Sequence, residues 1–331
     1  MTTIKWGVLS TAHIGQTQLI PAIKTAKNAE VVAIASRGEK AIEVAENLKI
    51  PKSYTSYEEL LDDPEIDAVY IPLPNHLHKE WVIKAAEKGK HVLCEKPASL
   101  TSTETKEMVD ACEKYGVRFM EAFMYQFHPQ HERVKEILQS GEIGEIKLMK
   151  SNFSFFLEDR TGNIRMDPTM GGGSIFDVGC YCIHSTRNIL GSEPISVEVK
   201  AKIDSDYQVE TTSFVTMKME NGVDAIFDSS FDMAFRQTYE VIGTKGTITV
   251  PAAYRPDVNG NIGVVIVDKG SVRREEKIYG EQYVLQVEHF SEAILNPSLE
   301  LKYSGEKAVK NMKVIEACYE SIKSEAIVNL K

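Results

Sequence analysis

Residues 4–37 read IKWGVLSTAHIGQTQLIPAIKTAKNAEVVAIASR, and the order of signals in this stretch decides the fold. Residues 4–9 form a short apolar run. A turn of small residues follows, then a helical opening at Gly15, and then a second apolar run at 31–35. Neither run alternates polar with apolar residues, as expected for strands buried on both faces of a parallel sheet. Runs at 68–71, 91–94 and 118–120 continue the series. Between them, 39–48 places Ala41, Val44, Ala45 and Leu48 on one helical face. Residues 76–88 and 101–115 are also helical, stopping before Gly89 and Gly116, where C-terminal caps belong. Strand–helix–strand repetition predicts right-handed crossovers and a doubly wound sheet.

After residue 122 the pattern changes. Residues 130–139 still read as a helix. Strand-like runs then follow at 145–156, 196–203, 211–219, 223–230, 238–242, 247–250 and 263–267. Asn221-Gly222 between two of them is a hairpin signal. Helices at 282–295 and 305–323 close the chain. The expected fold class is α/β, with a doubly wound parallel sheet over residues 1–122. An α+β domain with a large, mostly antiparallel open sheet is expected over 123–331.

At 331 residues the chain is long enough for two domains. Apolar residues make up 43% and charged residues 26%, which excludes a disordered chain. Lys plus Arg is 38 and Asp plus Glu is 48, a net charge of −10 that disfavours nucleic-acid and anionic-membrane partners. No apolar stretch is long enough to span a bilayer. The start has no secretory pattern, so a cytoplasmic protein is expected. Five cysteines at scattered spacing argue against a disulfide framework. Cys180, Cys182 and His184 lack zinc-site spacing, and i and i+2 diverge on a helix, so no metal site is expected.

The turn at 7–15 stands where a dinucleotide-binding strand–turn–helix places G-x-G-x-x-G, with Ser10, Ala12 and Gly15 at the three positions. The first two are small enough to let backbone N–H groups approach a pyrophosphate at a helix N-terminus. Ser10, Thr11, Ala12, His13 and Ile14 are therefore candidate cofactor contacts. The second strand ends in Ser36-Arg37. An NAD site would put a carboxylate there for the ribose hydroxyls, whereas an arginine suits the 2′-phosphate of NADP. NADP is the expected cofactor, with NAD as the alternative.

Ser174-Ile175-Phe176-Asp177 reads as a variant capping box, with Ser174 as N-cap. In the helix that follows, Asp177, Tyr181, His184 and Asn188 share a face. The preceding segment, 153–167, mixes aromatic and hydrogen-bonding residues suited to a sugar or polyol. Phe156 and Arg165 are its candidate substrate contacts, with Asp177 and His184.

Four markers occur in order: the degenerate loop at 7–15, PLPNHLH at 72–78, Glu95-Lys96-Pro97, and GGGSIFDVGCY at 171–181. With them the chain resembles the Gfo/Idh/MocA oxidoreductase family over its whole length. It is most similar to the branch of dimeric dihydrodiol dehydrogenase, NADP-dependent xylose 1-dehydrogenase and glucose–fructose oxidoreductase. The resemblance implies a Rossmann domain and a C-terminal domain whose open sheet serves oligomerisation, so a dimer or tetramer is expected. It adds Pro72, Leu73, Asn75, His78, Glu95 and Lys96 to the cofactor contacts. It also raises Lys96, Asp177 and Tyr181 as catalytic residues. Tyr181 is the expected proton acceptor when hydride leaves a carbinol carbon, with Lys96 the alternative base. Gln126 stands where that branch often has arginine, which leaves open which sugar, polyol or cyclic diol is the substrate. A cofactor-sensing regulator of the same fold, without turnover, is the competing reading. Intact Lys96, Asp177 and Tyr181 favour the enzyme.

Overall fold

The computed structural model describes residues 3–330. Its elements in chain order begin with β1 (Ile4–Leu9), α1 (Ile20–Thr25), β2 (Ala29–Ala35), α2 (Lys40–Leu48), β3 (Lys52–Tyr54) and α3 (Tyr57–Asp62). Then come β4 (Ala68–Ile71), α4 (His78–Glu87), β5 (His91–Cys94), α5 (Ser102–Lys114), β6 (Phe119–Glu121) and α6 (Gln130–Gln139). The next group is β7 (Ile146–Phe156), α7 (Cys180–Leu190), β8 (Pro194–Ile203), β9 (Glu210–Met219), β10 (Asp224–Ser230) and β11 (Asp232–Arg236). The chain finishes with β12 (Tyr239–Gly243), β13 (Thr247–Val250), β14 (Ile262–Asp268), β15 (Arg273–Tyr279), α8 (Gln282–Leu295), α9 (Gly305–Ser324) and β16 (Val328–Asn329).

The first sheet has six parallel strands in the order β3-β2-β1-β4-β5-β6. Trp6, Val8, Leu9, Ala33, Ile34, Val69, Ile71, Val92 and Leu93 are all buried, which explains their unbroken apolar runs. The order reverses between β1 and β4, and a crevice at such a switch point is where open α/β sheets bind ligands. Thr101 caps α5 through its side chain, and Gly89 and Gly116 follow α4 and α5 with positive φ.

The second sheet runs β15-β14-β13-β12-β7-β10-β9-β8-β16, with β11 on β7. It is antiparallel except where β7 meets β10, which pair in parallel. The Asn221-Gly222 hairpin joins β9 to β10, with Lys218 opposite Asp224. Phe153, Met149, Ala225 and Phe227 turn one face of this sheet inward, whereas Phe214 and Ile226 stand on the exposed face.

Two compact units result: Met1–Met124 with Tyr283–Met312, and Tyr125–Gln282 with Lys313–Lys331. A division into 1–122 and 123–331 therefore needs one correction, because the stretch Tyr283–Met312 belongs with the parallel sheet. Trp6 explains why. Its ring meets Phe290 at 5.6 Å and its Nε1 donates to Ser291 Oγ at 3.2 Å, so α8 completes the core under β1. Val109 packs on Gly305, and Phe123 on Tyr303. All five cysteines are buried thiols. Among the described residues no helix is long and apolar enough to cross a membrane.

Candidate active site

In the first unit, Ser10 ends β1 with φ 141°, a backbone conformation that ordinarily calls for glycine. The fingerprint's first turn is thus kept although its glycine is not. Ser10 Oγ accepts from the Ala12 N–H at 2.9 Å, and Gln16 Nε2 donates to the Thr11 carbonyl. The helical ladder starts with the Gln16 N–H on the Ala12 carbonyl, so the N–H groups of His13 and Ile14 stand ahead of it. A Cβ added to Gly15 would meet the Pro72 ring at 3.7 Å, so the turn after β4 lies against this loop.

At the end of β2, Arg37 is exposed. Its guanidinium interacts with the Tyr57 phenol, whose pKa is raised by burial and opposed by that cation. Ser36 is committed otherwise. Its buried hydroxyl donates to the Gly38 carbonyl and accepts from the Ala41 N–H, both at 2.9 Å, and so starts α2.

Lys96 follows β5 in a loop held from three sides. Tyr70 donates to Glu95 Oε1 at 2.5 Å while Glu95 Oε2 accepts from the Lys96 N–H at 3.2 Å. Buried Glu121, at the end of β6, accepts from the Ala98 N–H at 2.7 Å. His78 lies 2.7 Å from the Leu73 carbonyl and 3.1 Å from that of Pro97. Wholly buried, with burial lowering its pKa to about 4, His78 ties the β4 turn to the Lys96 loop. His78 thus supports the loop from within the core, whereas Glu95 is half-buried beside the Lys96 backbone. Leu73 is buried, and Asn75 opens a 3₁₀ turn, Asn75–Leu77, ahead of α4.

In the second unit, a π turn (Ile175–Gly179) leads directly into α7 and carries Asp177. The capping box is not formed. Ser174 is helical and its Oγ lies 3.0 Å from Ser229 Oγ, while Asp177 accepts from Arg165 Nε at 2.6 Å. Tertiary partners have taken both side chains away from the helix end. The Asp177 carboxylate raises the Arg165 pKa, against burial, and the Arg165 guanidinium lies 5.7 Å from the Phe155 ring centre.

Gly172 explains how Arg165 reaches Asp177. The Gly172 N–H bonds the Asp167 carbonyl at 2.8 Å and the Gly173 N–H bonds the Arg165 carbonyl at 2.9 Å. A Cβ on Gly172 would stand 2.7 Å from the Asp167 oxygen, so only glycine permits this stitching.

Tyr181 is 6% exposed, its ring packed against Phe153 at 5.3 Å, Tyr254 at 5.4 Å and Tyr125 at 5.9 Å. His184 is buried, with Nδ1 2.5 Å from the Tyr125 hydroxyl. Asn188 Oδ1 accepts from Lys135. Phe156 is 61% exposed and alternates onto the opposite face from Phe153 and Phe155. The aromatic residue beside Arg165 is Phe155.

Residues 4–123 match the oxidoreductase family with an NAD-binding Rossmann fold, and residues 131–249 match the GFO/IDH/MocA C-terminal domain. The chain belongs to the Gfo/Idh/MocA oxidoreductase family. It is 41% identical over 326 residues to D-xylose 1-dehydrogenase (NADP(+)) 2 of Haloferax volcanii, covering 98% of this chain and 99% of that one. It is 34% identical over 252 residues to trans-1,2-dihydrobenzene-1,2-diol dehydrogenase of Xenopus laevis, covering 75% of each. Among solved structures it is similar to a 3-ketoreductase from Actinomadura kijaniata in complex with NADP and TDP-benzene. The TM-score is 0.91 at 27% identity, over 97% of this chain and 98% of that one.

The dinucleotide expected of a Gfo/Idh/MocA protein fits the residues present. The glycine-like Ser10 turn, the helix start behind it and the exposed Arg37 lie along the carboxyl ends of β1 and β2.

Sequence reasoning missed Glu210, the first residue of β9. Its Oε1 accepts from the Ile175 N–H at 2.8 Å and from the Tyr319 hydroxyl at 2.9 Å, so it caps the helix that Ser174 does not. Burial raises the Glu210 pKa to about 7, against the pull of those two donors. Its titratable neighbours Tyr319 and Cys318 are themselves pushed up by burial and stay neutral. The folded protein therefore keeps a proton, between pH about 4.5 and 7, that the unfolded chain has lost. Stability falls as pH rises through that window, by about 3 kcal/mol from this group. Glu210→Gln is expected to be more stable than the native chain at pH 8 and within about 1 kcal/mol of it at pH 4.5. Urea unfolding at the two pH values measures both.

Proposed function

We propose that the protein is an NADP-dependent dehydrogenase or reductase acting on a CH–OH or carbonyl group of a sugar, polyol or cyclic diol. The observation that carries this reading is the Tyr181 phenol, one helical turn from an Asp177 carboxylate that Arg165 holds in place. When bound, the nicotinamide supplies the hydride chemistry that side chains cannot.

The residues manage the proton. Tyr181 takes it from the substrate hydroxyl during oxidation and returns it to the carbonyl oxygen during reduction. A free phenol titrates near pKa ~10, and cations nearby favour its ionised form. Lys96 donates a hydrogen bond to the reacting oxygen and stabilises the developing alkoxide. Asp177, oriented by Arg165, accepts from a neighbouring substrate hydroxyl. Phe155 offers an apolar ring to the carbon face of a sugar. Arg37 pairs with the 2′-phosphate through its fork of donors.

The test is a screen of pentoses, hexoses, polyols and cyclic diols with NADP, followed by absorbance of the reduced nicotinamide. Turnover of at least one supports the reading. Tight NADP binding with no turnover of any would replace it with a sensor.

A second copy of the chain is the proposed partner. Phe214 (54% exposed) and Ile226 (38%) stand on the outer face of the second sheet, where monomers rarely leave large apolar side chains together. Phe214→Glu with Ile226→Lys is expected to convert a dimer or tetramer to monomer in light scattering, with the fold retained. An unchanged mass would remove this face from the assembly. The buried thiols suit a reducing, cytoplasmic setting.

A further inference from the structure

Glu210 is a buried carboxyl whose polar neighbours, among the described residues, are the Ile175 N–H and the Tyr319 hydroxyl and include no cation. Packing alone does not account for it. A carboxyl taken from water without a counter-ion costs stability, and an apolar side chain of similar volume would fill the same space without that cost. The surroundings are nonetheless shaped to receive it. Gly173 has φ +111°, and a Cβ there would stand 2.3 Å from Glu210 Oε2, so this glycine makes room for the carboxyl itself. Tyr319 donates to the same oxygen that takes the Ile175 N–H, and its ring stacks on Phe176 at 4.9 Å. The Ile175 N–H belongs to the positive end of the helix, where a carboxylate is favoured.

We infer that Glu210 is a positioning residue: pinned between the Ile175 N–H and the Tyr319 hydroxyl, its carboxyl fixes the start of the helix that carries Asp177 and Tyr181. Two and six residues beyond Ile175, those side chains inherit their placement from this one anchor. Anchoring from β9 supplies the helix start with the acceptor that Ser174 does not provide. The inference rests on the catalytic reading of Tyr181, but its structural half is measurable without any substrate.

The experiment uses the full chain with Glu210→Ala, Glu210→Gln and Tyr319→Phe. Glu210→Ala is expected to speed amide hydrogen exchange at 175–181 and to lower kcat by roughly 10- to 100-fold, because displacement of reacting groups by about an ångström has that effect. KM for NADP stays unchanged. Glu210→Gln keeps the accepting oxygen and is expected to retain kcat within about threefold. Tyr319→Phe, which leaves the Ile175 bond in place, shifts both readouts in the same direction by less, and serves if Glu210→Ala fails to fold. Unchanged exchange at 175–181 in Glu210→Ala overturns the inference. So does an equal loss of kcat in Glu210→Ala and Glu210→Gln, which would make charge rather than geometry the operative property. If the native chain turns over none of the screened substrates, the catalytic reading fails, and hydrogen exchange alone decides the role of Glu210.

Discussion

Tyr181→Phe is expected to lower kcat by roughly 10²–10⁴ while leaving NADP affinity within about twofold. The substitution removes one oxygen and nothing else. The ring keeps its contacts with Phe153, Tyr254 and Tyr125, so the helix and its aromatic bed are retained. What is lost is the group that accepts the hydroxyl proton as hydride departs. Lys96→Met is the companion variant, in a loop whose backbone is also held by Glu95, His78 and Glu121. A similar loss of kcat is expected there, through the missing hydrogen bond to the reacting oxygen. Steady-state rates, with cofactor binding measured separately by fluorescence titration, check both. Near-normal turnover in Tyr181→Phe would transfer the proton step to Lys96.

Arg37→Asp is expected to weaken NADP binding by roughly 10²–10³ and to leave NAD binding unchanged or tighter. A charge-assisted hydrogen bond contributes about 1.5–3 kcal/mol, and a fork of two to a phosphate, once replaced by a like charge, accounts for that range. Ser36 does not compensate, since its hydroxyl is engaged by Gly38 and Ala41. Titration of native chain and variant with both dinucleotides reads the preference directly. Equal affinities in the native chain, with no change in the variant, would assign Arg37 to its Tyr57 contact alone.

The parallel sheet was legible because burial on both faces leaves an unbroken apolar signature, and because Thr101, Gly89 and Gly116 mark helix ends locally. The hairpin at Asn221-Gly222 was legible for the same reason: its geometry is set by two adjacent residues. The strand β15 was not. RREEKIY has no apolar alternation, because this edge strand is held through Arg274 on Glu142 and Arg133 on Glu276. The three-residue β3 is too short for any period to show. The parallel pairing of β7 with β10 joins segments about seventy residues apart and leaves no local trace.

The site divides in the same way. Ser10, Asp177 and Tyr181 stand in runs of adjacent residues that carry their own turn or helix signal, whereas Lys96 is raised by the resemblance of its Glu-Lys-Pro triplet to the family. Glu210, Glu121 and His78 act through partners distant in sequence. Asp177 shows the limit most clearly. Its spacing from Ser174 satisfies a local rule, yet Arg165, brought in by the Gly172 and Gly173 stitching, outcompetes the helix end for its carboxylate.

The return of Tyr283–Met312 to the parallel sheet bears on protein engineering. A cofactor module cut at residue 122 would lack Phe290 and Ser291, leaving the Trp6 indole uncovered and its N–H without an acceptor. Grafting this half onto a relative to exchange dinucleotide preference therefore requires two splice points, with the late helices transplanted alongside the early strands.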